Sequence, residues 1–259
     1  MLGSSTVLKD SWVEAERHLR IIPRNIELLI FATIQPIMFV VLFVYVFGGS
    51  IEVPGFASYD QFLIPGIFSQ SLVFGSAFTG VGLAEDLSKG LVDRLRSLPM
   101  SRSAVLIGRT VSDLVRNVLT FVVMVAVSFW PIGFRFDGSL VEAVWATFLL
   151  LLFSYALSWV QALMGLSVGS VEAANSAGFI WMFPLTFVSS AFVDPDTMPG
   201  WLQPVAKANP FTIVTNAARA LYNGHPVGND AWWSVAWSVG IIAVFATLSI
   251  RKFNNSTVA

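Results

Sequence analysis

Residues 140–168 read LVEAVWATFLLLLFSYALSWVQALMGLSV and include a single charged residue, Glu142. A helix needs roughly 20 apolar residues to cross the hydrocarbon core of a bilayer, so this stretch is long enough to span a membrane. Comparable apolar stretches lie at 27–47, 61–84, 104–131, 173–192 and 232–250. The sequence therefore predicts an all-α membrane protein with six transmembrane helices.

The amino-acid composition supports the same fold class. Hydrophobic residues make up 55% of the 259 residues and charged residues 12%, whereas soluble domains carry roughly 25% charged residues. The net charge of −1 gives no electrostatic reason to expect a nucleic-acid partner. The chain has no Cys, which excludes disulfides and thiolate chemistry.

Basic residues predict the orientation of the spans. If the N-terminus is cytoplasmic and six helices cross, only Arg135, Lys207 and Arg219 of the 15 Lys and Arg residues fall on the outer side. Cytoplasmic loops carry an excess of Lys and Arg, and an arrangement with five or seven spans would break this asymmetry. We therefore expect residues 1–259 to form one transmembrane domain in the inner membrane, with both termini in the cytoplasm.

Two cytoplasmic segments are predicted to form amphipathic helices. In residues 1–26, apolar residues recur every three or four positions, which predicts a helix lying in the membrane interface with Trp12 among the headgroups. In residues 85–102, four leucines share one helical face, charged residues are available to another, and Pro99 ends the helix. This second helix could dock another protein or lie on lipid headgroups, and the sequence leaves both interpretations open.

A polar stripe begins the third span. Arg109, Asp113 and Arg116 are spaced three or four residues apart, so Asp113 can pair with either arginine. Ionisable groups close to a membrane face the protein interior or water and are candidates for function. We predict a structural salt bridge in this group, in which Asp113 and Arg116 join two helices or two subunits. We expect Arg109 to lie on an ordinary water-facing surface.

Few polar side chains lie inside the predicted spans. Those that we expect to face inward are Gln35, Gln70, Gln161 and Asn175. A buried amide either joins helices, contributing about 1 kcal/mol, or contacts a transported substrate, so these residues are candidates for a substrate pathway. Ion-coupled carriers place carboxylates near the membrane midplane, and most of the predicted spans have none there.

The segment between the last two spans, residues 194–230, is predicted to lie outside the cell. Asn209 suits the N-cap of a helix, Pro210 its first position and Phe211 its apolar face. This helix is expected to end at Gly224, after a shorter helix at 200–208. Together the two helices predict a re-entrant hairpin, whose backbone must be buried in protein or meet water.

Two motifs that would bind ATP or zinc are absent from the sequence. There is no G-x-x-x-x-G-K-[ST] loop that would bind ATP and no H-E-x-x-H zinc motif. The two histidines, His18 and His225, are far apart in the sequence. We therefore predict a transport subunit with no catalytic, cofactor-binding or metal-binding residues rather than an enzyme.

Residues 98–117, LPMSRSAVLIGRTVSDLVRN, and the shorter NPFT at 209–212 carry a family resemblance. With the six-span plan and the N-terminal interfacial helix, they resemble the type-2 ATP-binding-cassette (ABC) exporter permeases, in particular the daunorubicin-resistance branch. The resemblance covers nearly the whole chain. It implies a second permease chain, identical or different, and two separate ATPase subunits that bind ATP and Mg²⁺.

The resemblance also assigns roles to the two amphipathic cytoplasmic helices, which would transmit the ATPase cycle. The residues concerned are Trp12, Arg17, Arg20, Asp86, Leu87, Leu91, Arg94 and Leu95. The expected function is export of hydrophobic drug-like or lipid-like compounds, powered by the partner ATPase. The alternatives are a glycan or glycolipid exporter of the same fold, an ion-coupled carrier acting alone, and a membrane scaffold or immunity protein without transport.

Overall fold

A computed structural model describes residues 26–47, 53, 55, 56, 58–90, 102–130 and 133–255. Every regular element in these residues is helical, which confirms the all-α class. The helices are α1 (Ile26–Leu42), α2 (Tyr59–Ser88), α3 (Arg102–Phe129), α4 (Leu140–Gly165), α5 (Val171–Phe187), α6 (Gln203–Ala208), α7 (Pro210–Tyr222) and α8 (Asp230–Asn255). A π-helical turn, Phe43–Phe47, continues α1, and a 3-10 turn, Pro195–Thr197, precedes α6.

Four of these helices, α2, α3, α4 and α8, are long and apolar enough to cross a membrane. The chain is therefore a multi-pass membrane protein. Helices α1 and α5 lie where the first and fifth spans were predicted, but each has 17 residues. Their length alone does not assign them as spans.

Several helix ends follow from local sequence. Ser139 caps α4 and forms a capping box with Glu142, and Ser170 caps α5 through the backbone N–H of Ala173. One predicted boundary was wrong: residues 85–88 continue α2 instead of starting a separate helix, because the chain turns only at Gly90, which has a φ of +64°. The remainder of that predicted helix, 91–101, and the predicted interfacial helix, 1–25, lie outside the described residues.

Helix α2 lies at the centre of the bundle and contacts α3, α4, α5 and α7, while α4 also packs against α8. In the most apolar window of α2, 78% of the residues are buried inside the chain, against 17% for α8. An apolar helix that its own chain leaves uncovered needs lipid or another chain around it. This difference places α2 in the core and α8 on the periphery of the protein.

Glycines allow two close approaches to α2. A Cβ at Gly165 of α4 would overlap the backbone carbonyl of Gly80, and a Cβ at Gly66 would overlap the carbonyl of Ala191 in the loop after α5. Small residues let helix backbones approach closely in membrane proteins. These glycines therefore set the positions of α4 and of the loop relative to α2.

Candidate functional site

A cavity of about 290 Å³ lies among α1, α2, α3 and α5. Its aromatic lining consists of Phe39, Phe74, Phe78 and Phe179. Polar groups from each side complete it, among them Gln35, Gln70, Asn117 and Thr120. An apolar cavity with a few polar groups is the usual form of a small-molecule binding site.

Gln70 has an unusual position in this cavity. The residue is 2% exposed, and its Nε2 atom has no hydrogen-bond partner among the described residues. The neighbouring amide of Asn117 is satisfied, since its Nδ2 donates to Ser154 Oγ at 2.8 Å. A buried polar group without a partner costs free energy comparable to a lost hydrogen bond, and the buried Nε2 of Gln70 carries this cost in a residue that lines the cavity.

The four amides selected from the sequence separate into two groups. Gln35 and Gln70 both line the cavity. Gln161 is fully buried between α4 and α5, where its Nε2 contacts the sulfur of Met182 at 2.7 Å, and Asn175 is exposed on α5. The structure therefore brings two of these candidates together at the cavity and leaves Gln161 and Asn175 outside its lining.

A row of phenylalanines leads away from the cavity along α5. Phe74 and Phe179 have ring centroids 5.7 Å apart, and the contacts continue from Phe179 to Phe183 and Phe187 at 5.7 Å each, then to Phe192 at 5.3 Å. The sequence analysis did not single out this aromatic row. The spacing of four residues between the phenylalanines of α5 is the signal that could have indicated it.

A charged cluster, which we define as Asp86, Arg109, Asp113 and Arg116, lies next to the cavity between α2 and α3. Asp113 is buried and accepts a hydrogen bond from Thr79 Oγ1 at 2.7 Å. It pairs with Arg116 Nη2 at 2.9 Å and with Arg109 Nε at 3.3 Å. The two carboxylates and two guanidinium groups attract each other, which offsets the cost of placing these ions in a largely buried position.

Two expectations about this cluster were wrong. The side chain of Arg109 is only 14% exposed, and its Nη1 pairs with Asp86 Oδ2 of α2 at 3.3 Å, so it does not lie on a water-facing surface. The Asp113–Arg116 pair lies within α3 and does not join two helices. In the described part of the chain, the Arg109–Asp86 ion pair joins α3 to α2, and the sequence analysis did not consider this pair.

An arginine network holds the segment 194–230, which the sequence predicts to lie outside the cell, to the rest of the chain. Arg219 of α7 is 3% exposed, and its Nε donates to the carbonyl of Phe62 at 2.7 Å. Its Nη2 donates to Ser190 O at 2.7 Å and Ala191 O at 3.3 Å, and its Nη1 to Asn216 Oδ1 at 3.0 Å. The guanidinium carbon also lies 3.7 Å from the centre of the Phe62 ring. We call these contacts the outer arginine network.

Asn209 connects α7 to the end of α5. Its Oδ1 accepts from the N–H of Phe211 at 2.9 Å, which confirms Asn209 as the N-cap with Pro210 at the start of the helix. Its Nδ2 donates to the carbonyls of Leu185 and Val188, both at 2.7 Å. The preceding helix, α6, spans only Gln203–Ala208 and is shorter than predicted, since residues 200–202 form a turn.

The residues predicted to contact an ATPase fall mostly outside the described part of the chain. Those outside are Trp12, Arg17, Arg20, Leu91, Arg94 and Leu95. Asp86 and Leu87 lie on the last turn of α2, where Asp86 belongs to the charged cluster. Among the described residues, no group of three or more His, Asp or Glu side chains could hold a metal ion.

Residues 165–169, GLSVG, match the G-x-S-x-G pattern of serine hydrolases. In that motif the serine follows a strand, whereas Ser167 follows α4 and its hydroxyl donates to the carbonyl of Leu163 at 2.5 Å. The structural context of a nucleophile is therefore missing. Here the pattern marks the turn between α4 and α5.

Apolar helices and a cavity with polar and aromatic walls define a multi-pass membrane protein of the transporter type. Residues 11–223 match the family described as "ABC-2 type transporter", and the chain belongs to this family. It is a permease, the transport component of an ABC transporter, and members of this family work with ATPase subunits.

Three relatives illustrate the range of similarity. The chain is 35% identical to the "Daunorubicin resistance ABC transporter permease protein DrrB1" of Streptomyces coeruleorubidus, over 88% of this chain and 80% of the relative. It is 26% identical to the "Probable doxorubicin resistance ABC transporter permease protein DrrC" of Mycobacterium tuberculosis, over 86% and 80%. It is 25% identical to the "Probable multidrug ABC transporter permease YbhR" of Escherichia coli, over 71% and 49%.

Proposed function

We propose that this chain is the permease subunit of an exporter that moves hydrophobic drug-like compounds outward across the inner membrane. Two permease chains and two ATPase subunits, which bind ATP and Mg²⁺, form the complete transporter. The names of the relatives, which refer to resistance to daunorubicin and doxorubicin or to multidrug transport, support this substrate class. Family membership argues against a lone ion-coupled carrier.

In this proposal six helices cross the membrane, because α1 with its π-helical turn and α5 are added to the four long apolar helices. Both termini lie in the cytoplasm. Three exposed tryptophans, Trp130, Trp201 and Trp232, lie at the end of α3, before α6 and at the start of α8. Tryptophans concentrate at membrane interfaces, and these three lie on the side assigned to the exterior. Residues 194–230 form a re-entrant hairpin on that side.

The cavity is the substrate site in this proposal, and Gln70 is the observation that carries it. A ligand with an apolar aromatic body fits walls made of phenylalanine rings, which prefer stacked or edge-on contacts. A carbonyl, ether or hydroxyl oxygen on the ligand would accept from the unpartnered Nε2 of Gln70. The aromatic row then offers a continuous apolar surface from Phe74 to Phe192 for movement towards the exterior.

Residues 1–26 and the segment that follows α2 contact the ATPase in this proposal. The charges at the end of α2 support this assignment, because Glu85 is exposed and paired with Lys89 at 2.5 Å. Exposed charges of both signs suit a polar protein surface better than a lipid surface. Charged substitutions of Leu91 and Leu95 should then uncouple ATP hydrolysis from the drug.

Matched substitutions of two buried glutamines test the substrate site. Gln70→Met removes the unpartnered N–H group at nearly constant volume, and Gln161→Met replaces a second buried glutamine by methionine outside the cavity. Loss of one hydrogen bond to the ligand should weaken doxorubicin binding by roughly two- to tenfold for Gln70→Met. Gln161→Met should leave binding unchanged. Doxorubicin fluorescence with the complete transporter in nanodiscs measures both dissociation constants.

Two outcomes would count against the proposal. If the parent transporter neither binds doxorubicin nor exports it from inverted vesicles with ATP, the substrate class is wrong. If the parent binds the drug and both glutamine variants bind it as tightly as the parent does, the cavity is not the binding site.

A further inference from the structure

The charged cluster reaches from the cytoplasmic end of α2 to the cavity wall. Asp86 lies on the last turn of α2, whereas Phe78 and Arg116 line the cavity. Arg109 contacts both places, since its Nη1 lies 3.3 Å from Asp86 Oδ2 and its Nη2 donates to the carbonyl of Phe78 at 3.4 Å. One guanidinium group therefore joins the end of the helix to a residue of the cavity.

A second connection passes through Asp113. Arg109 Nε contacts Asp113 Oδ2 at 3.3 Å, and the other oxygen of the same carboxylate pairs with Arg116 Nη2 at 2.9 Å. The guanidinium carbon of Arg116 lies 4.5 Å from the centre of the Phe78 ring. Phe78 is thus contacted at its carbonyl by Arg109 and at its ring by Arg116, so a displacement of Arg109 acts on the cavity at two points.

The position of Arg109 depends on its shape as well as its charge. Each of its three nitrogens contacts a different group, which a planar guanidinium allows and the compact ammonium of Lys does not. The guanidinium lies against Gly82, where a Cβ would overlap it. A side chain at position 82 would therefore displace the guanidinium while leaving every charge of the cluster in the chain.

We propose that Arg109, seated on Gly82, is a positioning residue that transmits movement between the ATPase-facing end of α2 and the drug cavity. This inference rests on the proposed function, which places the ATPase at that end of the helix. If Arg109 transmits the movement, ATP alters the cavity only while the guanidinium keeps its contacts with both Asp86 and the carbonyl of Phe78. A residue that merely packs α2 against α3 would affect stability and leave the response to ATP intact.

Labelling of the cavity in the transporter with its ATPase tests the proposal without any drug. Because the chain contains no Cys, Ser71→Cys places a single thiol in the cavity lining, and a maleimide reports its accessibility with and without ATP. In this background ATP should change the labelling rate by about fivefold or more, because fivefold is the low end of coupling between distant sites. Gly82→Ala should reduce this change to about twofold or less. Gly240→Ala is the matched control, since a Cβ there meets nothing within 4 Å.

Arg109→Lys serves as the second variant if Gly82→Ala prevents assembly. It keeps the charge but loses the three-way contact, so it should also lose the response while the partner subunit still hydrolyses ATP. A full ATP response in Gly82→Ala or Arg109→Lys would overturn the proposal, as would an absent response in the Ser71→Cys background. Because this labelling requires no drug, a failure to bind doxorubicin would refute only the substrate class.

Discussion

We predict that Arg219→Met destabilises the segment 194–230 more than substitution of an exposed residue does. Methionine keeps an apolar stem, but it ends before the position of the guanidinium, loses the contact of the guanidinium carbon with the Phe62 ring and donates no hydrogen bond. The carbonyls of Ser190 and Ala191 would then lose their contacts with Arg219 Nη2. Both residues are buried in the loop after α5, so water does not readily replace the lost donors.

The magnitude follows from the groups left without a donor. A buried acceptor that loses its partner costs about 1–3 kcal/mol. The contact of Ala191 O with Arg219 is long, at 3.3 Å, and contributes at the low end. Phe62 lies inside α2, where helical bonding to its carbonyl persists. Removing the buried guanidinium recovers part of this cost, since its own desolvation is unfavourable. We therefore expect a net loss of about 1–3 kcal/mol in the free energy of unfolding.

Denaturant unfolding in detergent micelles, followed by tryptophan fluorescence, measures this loss. Arg135→Met is the matched control, because Arg135 is exposed and lies on the same side of the protein. An exposed substitution of this kind should change the free energy of unfolding by no more than about 0.5 kcal/mol. If Arg219→Met were as stable as Arg135→Met, the outer arginine network would not hold the segment and the reasoning from buried donors would be refuted.

Two further predictions concern stability and use the same measurement. Asn209→Asp keeps the oxygen that accepts from the Phe211 N–H but removes both hydrogen bonds that the amide donates to the end of α5. The free energy of unfolding should therefore fall by about 1–3 kcal/mol. Stability equal to the parent would show that only the capping bond matters. Gly165→Ala places a Cβ against the carbonyl of Gly80 and should cost about 1–3 kcal/mol by forcing α2 and α4 apart. Gly169→Ala, where a Cβ meets nothing, should cost far less.

The helices could be predicted from the sequence because their determinants are local. Apolar length located the four long apolar helices and the two 17-residue helices α1 and α5, and the N-cap at Asn209 and the C-terminal stop at Gly224 followed from neighbouring residues. The wrong boundary after residue 84 has a physical reason. The polar end of α2 was assigned to a separate amphipathic helix, although a membrane-spanning helix can continue past the apolar core into the charged interface.

The contacts between helices could not be derived in the same way. Arg109 and Asp86 are 23 positions apart and lie on different helices, so their pairing depends on how α2 and α3 pack. Periodicity indicated correctly that Asp113 can reach both arginines, because all three residues lie on α3. It carried no information about the partner on α2, and Arg109 was therefore assigned to water.

Among the described residues, some buried polar groups have a hydrogen-bond partner within the fold and others do not. Arg219, Asn209 and Asn117 have partners on neighbouring segments, which is what structural residues in a membrane require. Gln70 and Gln161 each retain one amide atom without a partner, but only Gln70 faces a cavity. The unpartnered Oε1 of Gln161 inside a packed contact is simply unfavourable, whereas the unpartnered Nε2 of Gln70 belongs to a cavity-lining residue and can be satisfied by a ligand. This difference is why the paired glutamine variants separate a substrate contact from a general effect of removing a buried amide.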